Sequence, residues 1–324
     1  MNEVHRVLAL AGLVAMAPSA AAQTHSNFPM KPIRMVLPFP PGGGLDVLVR
    51  MLSVPMAESL GQPIVLDNRT AIDGIVAEDT VAKANPDGYT LLSVASSLAI
   101  NPALGRKLPY DTTRDLAQIT QIASQPLLLI TQPALPVKSV RDVIALAKKA
   151  PGSLNFGSSS SATHLPMELF NVMAGTRMVH IPYRGAAPMI TAAIGGQIQL
   201  CFGASSSVMP MVKAGRLTAL ATGDSRRTPL LPELPTVSEA GVPGFHAVIW
   251  SGMLAPAKTP AAIIDRMHAE VARAHAVPDV RGRMLNQLGL DPVGSKPAEF
   301  GQFVRDEITK WAKIAKAAGI KAAG

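Results

Sequence analysis

The chain has 324 residues, 48% of them hydrophobic and only 16% charged, so it can fill substantial cores and is not a disordered polypeptide. Its formal charge of +8 is scattered along the sequence and aromatic residues make up only 4%, which argues against the basic stripe with stacking aromatics that a nucleic-acid surface uses. A single cysteine, Cys201, excludes an internal disulfide and a cysteine-based metal site, and its apolar neighbours place it in a buried strand.

At the N-terminus, Arg6 precedes an apolar run over 7–17, and Ala20, Ala21 and Ala22 come just before Gln23. A basic start, about ten apolar residues and an A-x-A site make a secretory signal peptide, with cleavage expected after Ala22. The run is shorter than the ~20 residues needed to span a bilayer. The segment 1–22 holds one Glu and one Arg, so its removal leaves the net charge unchanged. About 300 residues remain, enough for two domains. No later segment is long and apolar enough to cross a membrane, so the mature protein is expected to be exported and soluble.

The following pattern alternates short apolar strands with amphipathic helices. A strand over 33–38 leads through a tight loop at 40–44 into a helix over 45–60. A strand at 64–66, a helix at 75–84 and a strand at 90–94 follow. A second run begins with a strand at 127–131, then a helix at 140–149 and a strand at 154–156. After a serine-rich loop come a helix at 162–173, a strand at 178–182, a helix at 186–194, a strand at 198–202, a helix at 207–214 and a strand at 217–222. Such alternation predicts parallel sheets flanked by helices. The proline-rich stretch 229–243 reads as an extended crossover, 245–254 as a strand, and 260–275, 280–288 and 297–317 as helices that return to the first lobe. The expected division is a lobe of 23–124 with 224–324 and a lobe of 125–223. The two crossings, near 121–125 and 221–228, would form a hinge around a cleft.

Two strand-to-helix loops stand out. In Pro40-Pro41-Gly42-Gly43-Gly44 the glycines allow a sharp turn and expose backbone N–H groups. With the helix N-terminus they make an anion site that needs no cation. Asp46, in the first helical turn, is expected to cap or orient this loop. The loop lacks the spacing of a Walker A or dinucleotide motif. In Gly157-Ser158-Ser159-Ser160-Ser161-Ala162-Thr163-His164, hydroxyls and amides offer a second carboxylate site beyond what an N-cap requires. Ser96 and Ser97 follow a strand at the end where parallel sheets present ligands, and so do Tyr183 and Arg184.

Many separate motifs then resemble one family. Among them are Lys31-Pro32-Ile33-Arg34, Pro38-Phe39-Pro40-Pro41-Gly42-Gly43, Asn68-Arg69, Pro86-Asp87-Gly88-Tyr89-Thr90, Leu108-Pro109-Tyr110-Asp111, His180-Ile181-Pro182-Tyr183-Arg184-Gly185 and Leu234-Pro235-Thr236-Val237. Together with further matches over the whole mature chain they resemble the tripartite tricarboxylate transporter receptors, or Bug proteins. The resemblance implies a two-lobe periplasmic binding fold of the Venus-flytrap type, each lobe a mostly parallel α/β sheet flanked by helices. It implies a periplasmic location, a small carboxylate ligand and delivery to a permease of two integral membrane subunits. The expected protein is a monomer that binds no nucleic acid, metal or cofactor. By the resemblance, Phe39, Gly42, Gly43, Asp46, Ser158, Ser159, Thr163 and His164 surround the ligand. Gly44, Ser96, Ser97, Ser160, Tyr183, Arg184 and Gly203 complete the candidate set.

Two departures from the family pattern bear on the ligand. Thr70-Ala71-Ile72-Asp73-Gly74 replaces a glycine-rich loop, and Gly203 stands where the family often has an aspartate. If that aspartate receives a ligand amine, this chain should prefer acids without one. Two rival functions are a secreted serine hydrolase, for which no G-x-S-x-G elbow is present, and a periplasmic sensor, which would need the same cleft.

Overall fold

The computed structural model describes residues 28–70, 74–228 and 231–320. The expected signal peptide, and Asp73 with its neighbours Ala71 and Ile72, lie outside the described residues.

Strand β1 (Ile33–Leu37) pairs in parallel with β2 (Ile64–Asn68) on one side and β3 (Thr90–Ala95) on the other. Because side chains alternate along a strand, Ile33, Met35 and Leu37 meet Leu48, Leu52 and Met56 of helix α1 (Gly44–Leu60). Val36 faces the other way, against Ala77 and Val81 of α2 (Ile75–Ala82). One helix therefore covers each face; Met35, Val36 and Leu37 are buried in succession, while half-buried Arg34 pairs with Asp67 of β2.

The remaining strands join two sheets into one order, β2-β1-β3-β9-β4-β7-β5-β6. Strand β9 (Val248–Pro256) is antiparallel to β3, and β4 (Leu116–Thr131) is antiparallel to β9. At 16 residues, β4 runs out of the first sheet into the second. There it pairs antiparallel with β7 (Leu200–Ala204) and β8 (Thr218–Thr222). Parallel pairs join β7 to β5 (Asn155–Ser158) and β5 to β6 (Val179–Pro182). The directions follow from these pairings. β1 and β3 run with β4, so their C-terminal ends point toward the second sheet. β5, β6 and β7 run against β4, so theirs point back toward the first. The loops after the parallel strands of both lobes thus line facing edges.

In the second lobe, α4 (Val140–Lys149) and α5 (Ser161–Ala174) cover one face, where Val143 and Phe170 meet Leu129 and Phe202. Helices α6 (Ala186–Ile194) and α7 (Ser205–Lys213) cover the other, where Met189 and Val208 meet Ile130 and Cys201. Cys201 is fully buried, and that burial pushes its thiol up to about 12, so it packs as a small apolar side chain.

Several elements differ from expectation. Residues past 223, expected in the first lobe, include a stretch that packs with the second sheet. Thr222 bridges Thr236, Gly223 donates its N–H to Leu127 at 2.7 Å, and Val237, Phe245 and Ala247 join the second-lobe core, so the return comes at β9. A Cβ on Gly223 would lie 2.6 Å from the Ala247 carbonyl, so only glycine lets these segments pack this closely. Residues 97–103, to which no element was assigned, form helix α3 (Ser97–Ala103). The tail was expected on the first lobe alone. Helix α8 (Ala261–Ala276) does pack there, through Ile263, Met267 and Val271. A short helix α9 (Pro278–Arg283) and a π-helical turn (Met284–Leu288) lead to β10 (Asp291–Pro292), which pairs with β4. Helix α10 (Pro297–Ala317) bridges the lobes, with Phe300 and Val304 in a first-lobe core and Trp311 in the second-lobe core. Among the described residues no helix is long and apolar enough to cross a membrane.

Candidate functional site

A cavity of about 350 Å³ opens where the two edges meet, within the range of small-molecule sites. One wall is the predicted glycine loop: Phe39, Gly43 and Gly44 line it, followed by Leu45 and Leu48 of α1. Helix α1 begins at Gly44 without a side-chain cap on its N-terminal amides. Those amides carry the positive end of the helix dipole. Across the cavity, Ser206 at the start of α7 supplies the second lobe's side, and Gln125 of β4 links the two. The Gln125 amide donates to Ser206 Oγ at 2.7 Å and to the Leu288 carbonyl at 3.3 Å, while Ser205 Oγ donates to the Gly289 carbonyl at 3.1 Å.

The floor is set by the sheet register. Ser251 of β9 pairs with Ala95 of β3 on one side and Ala123 of β4 on the other, and all three line the cavity. Three small side chains abreast leave the hollow that larger ones would fill. Alternation puts Ile249 with Ser251 on this face, while Trp250 and Gly252 turn to α10. The Trp250 ring stacks edge-on against Phe300, and its indole donates to Glu307. The Ser251 hydroxyl is buried, and no hydrogen-bond partner reaches it among the described residues.

Asp46 is 1% exposed and accepts from the Gly42 N–H at 2.9 Å, from Arg50 at 2.8 and 3.1 Å and from Asn68 at 3.1 Å. Burial raises its pKa, and the hydrogen bonds from Arg50, Gly42 and Asn68 more than reverse that, leaving the carboxyl below its ordinary value. Asp46 therefore orients the loop. Gly42 makes the turn at φ +79°, a conformation that favours glycine, and its N–H is taken by Asp46. Asn68 also donates to the Phe39 carbonyl at 2.9 Å, pinning the residue that enters the cavity.

The serine-rich loop lies on the facing edge but outside the cavity lining. Its groups largely satisfy one another. Thr163 Oγ1 accepts from the Ser159 and Ser160 N–H groups and donates to the Ser160 carbonyl, closing the N-terminus of α5. Ser158 Oγ lies 2.7 Å from His180 Nε2, and His180 stacks on His164 with 3.7 Å between ring centroids. Burial, and then the neighbouring His164, push His180 down to about 4. His164 in turn meets Glu168 at 3.3 Å. Tyr183 donates its N–H to the Ser158 carbonyl, and Arg184 is exposed.

The remaining candidates, Ser96, Ser97 and Gly203, do not line the cavity. Ser96 Oγ accepts from the Trp250 N–H at 3.0 Å, and Ser97 is buried beside it. Gly203 is buried, and a Cβ there would lie 2.3 Å from Val208 Cγ1. The sequence reading missed Gln125, Ser206, Ile249 and Ser251. Ser206 carried the signal used for Ser96 and Ser97, a hydroxyl just past a strand's C-terminal end.

Comparison with known proteins shows the family and the fold. The family model of the tripartite tricarboxylate transporter family receptor matches residues 48–320. Protein BugT of Bordetella pertussis is 35% identical over 98% of this chain and 98% of its own. A solved structure of an R. palustris protein with adipate is 35% identical, with a TM-score of 0.77 over 91% of this chain and 99% of that one. MatC of Rhodopseudomonas palustris with bound malate is 30% identical, with a TM-score of 0.73 over 89% and 99%. A cavity lined from both lobes, and likeness over nearly the whole length, lead to one assignment: the chain belongs to the tripartite tricarboxylate transporter receptor family.

Proposed function

We propose that this protein is an extracytoplasmic receptor that captures a small carboxylate between its lobes and presents it to a membrane permease. The observation that carries the reading is the interlobe cavity, with the uncapped start of α1 on one wall and Ser206 of the other lobe opposite. A carboxylate at the Gly44 and Leu45 amides meets N–H donors and the helix dipole without a cation. Hydrogen bonds to a charged group contribute roughly 1.5–3 kcal/mol each. About four to six of them, less the cost of ordering two lobes, reach the roughly −8 kcal/mol of a micromolar binder. A ligand touching both lobes favours their closed arrangement, which is the form a permease can distinguish.

The relatives solved with adipate and malate support a carboxylate ligand. The family description supports a tripartite transporter partner, which we take to be a permease of two integral subunits served by a monomeric receptor. A periplasmic location is supported by the signal-like segment 1–22. We take the first lobe as the chain up to Ser124 and from Val248 onward and the second as the chain between, with α10 laid across both. We assign no catalysis. Ser158 and His180 are within bonding distance, but Ser158 is 4% exposed and His180 stacks on His164 instead of meeting a carboxylate.

A thermal-shift screen of the mature protein against a library of small acids tests the reading. A ligand at a hundred times its dissociation constant adds about 2.7 kcal/mol of stability. A library in which sugars or amines raise the melting temperature and no acid does so overturns it.

A further inference from the structure

The cavity is more apolar than a polyacid needs. Its side walls are Phe39, Leu45, Leu48, Ile249, Leu288 and Leu290, and none of its lining residues is charged. The nearest cation along the chain, Arg50, is committed to Asp46 at 2.8 Å. The polar side chains that do reach it, Ser251, Gln125 and Ser206, are neutral. One carboxylate has a place, at the amides of Gly44 and Leu45. A second or third would leave water for a wall of leucine and isoleucine with no opposite charge, and an unpaired buried charge is strongly disfavoured. Conversely, a cavity of about 350 Å³ is only partly filled by a four-carbon acid, and its apolar walls favour a larger hydrocarbon body.

We propose that the physiological ligand class of this chain is a monocarboxylate with an apolar body of about six to eight carbons, aliphatic or aromatic. The acid sits at the start of α1, the body lies along the leucine wall, and the buried Ser251 hydroxyl marks where one neutral polar atom of the ligand is accepted. This rests on the carboxylate-receptor reading and narrows it.

Isothermal titration of the mature protein with hexanoate, phenylacetate, adipate, citrate and hexanamide tests it. Hexanoate or phenylacetate should bind at least about tenfold more tightly than adipate or citrate. Adipate or citrate binding as tightly as hexanoate, or more so, overturns this inference and leaves the carboxylate receptor standing. Hexanamide binding as tightly as hexanoate overturns the carboxylate reading itself. A second arm uses Leu290→Lys, which puts a cation on the half-buried wall. The ratio of adipate to hexanoate affinity should rise by about tenfold or more; an unchanged ratio in a folded variant removes the ligand body from that wall. Should that variant not fold, Ala95→Leu fills the cavity floor instead. It should weaken hexanoate by at least about tenfold, and unimpaired binding overturns the placement.

Discussion

Ser251 is a buried hydroxyl with apolar neighbours on both adjacent strands and no hydrogen-bond partner among the described residues. A role confined to the fold would make its removal neutral or stabilising, whereas contact with a ligand would show in affinity alone. Ser251→Ala should leave the melting temperature unchanged or raised and weaken an acid whose body carries a neutral polar group by about five- to tenfold, the worth of one neutral hydrogen bond, while hexanoate is little affected; calorimetry beside a melting curve separates the two. Gly203 has the opposite character. With Val208 Cγ1 2.3 Å from where a Cβ would stand, Gly203→Ala overpacks the second lobe and should cost about 1–3 kcal/mol. Adding Val208→Ala should recover part of the loss, a coupling that a double-mutant cycle reads directly. A side chain at this position would thus meet packed Val208, not open space.

At the level of elements, the alternation of strands and helices was legible where a strand carries consecutive buried residues, as Met35, Val36 and Leu37 do in β1, or where serine and glycine mark a strand's end. The first half of β4 was not legible, and its register explains why. Pairing with β9 shifts between Gln118 and Thr120 and again between Gln121 and Ala123. Each irregularity inserts a residue, Ile119 or Ile122, which breaks the period of two on which strand recognition rests. The glycine loop was readable because a strand-to-helix turn is local. The cavity floor was not, because Ala95, Ala123 and Ser251 become neighbours only when three distant strands pair. Helix α10 was readable as a helix but not in its placement, since its two apolar patches serve different lobes. Its Trp311 enters the second-lobe core while its indole donates to Glu307 at 2.9 Å, which also receives Trp250 of β9. Trp311→Ala should destabilise the protein by about 3–5 kcal/mol, as for other large core deletions, measured by denaturant unfolding.

Across the whole molecule, two histidines, buried His275 and half-buried His180, set an acid limit on stability. Burial pushes both His180 and His275 down to about 4 in the folded protein, from an ordinary value of 6.5. Unfolding therefore takes up protons at these sites when the pH lies between those values. The sign follows: their neutral forms suit the fold fully above pH 6.5, and stability falls as the pH drops from 6.5 toward 4, with a slope of up to about 1.4 kcal/mol per pH unit for each proton. Melting temperatures across this range should decline, and His275→Gln should flatten the decline. A pH-independent melt would contradict the desolvation of these rings in the fold.

The sharing of β4 by both sheets bears on how such a receptor shuts. Lobes tied by slack linkers can swing without disturbing their own ladders, but here any closing rotation must twist the backbone that both ladders use. Its irregular stretch at Gln121–Ala123 is the weakest part of that path, and Ala123 and Gln125 touch the cavity. Occupancy is thereby felt first by the torsion element itself. Deuterium uptake at amides 121–126 should slow on adding ligand by more than at 128–131, where the same strand lies deep in one lobe. Equal slowing along the strand would place the pivot elsewhere.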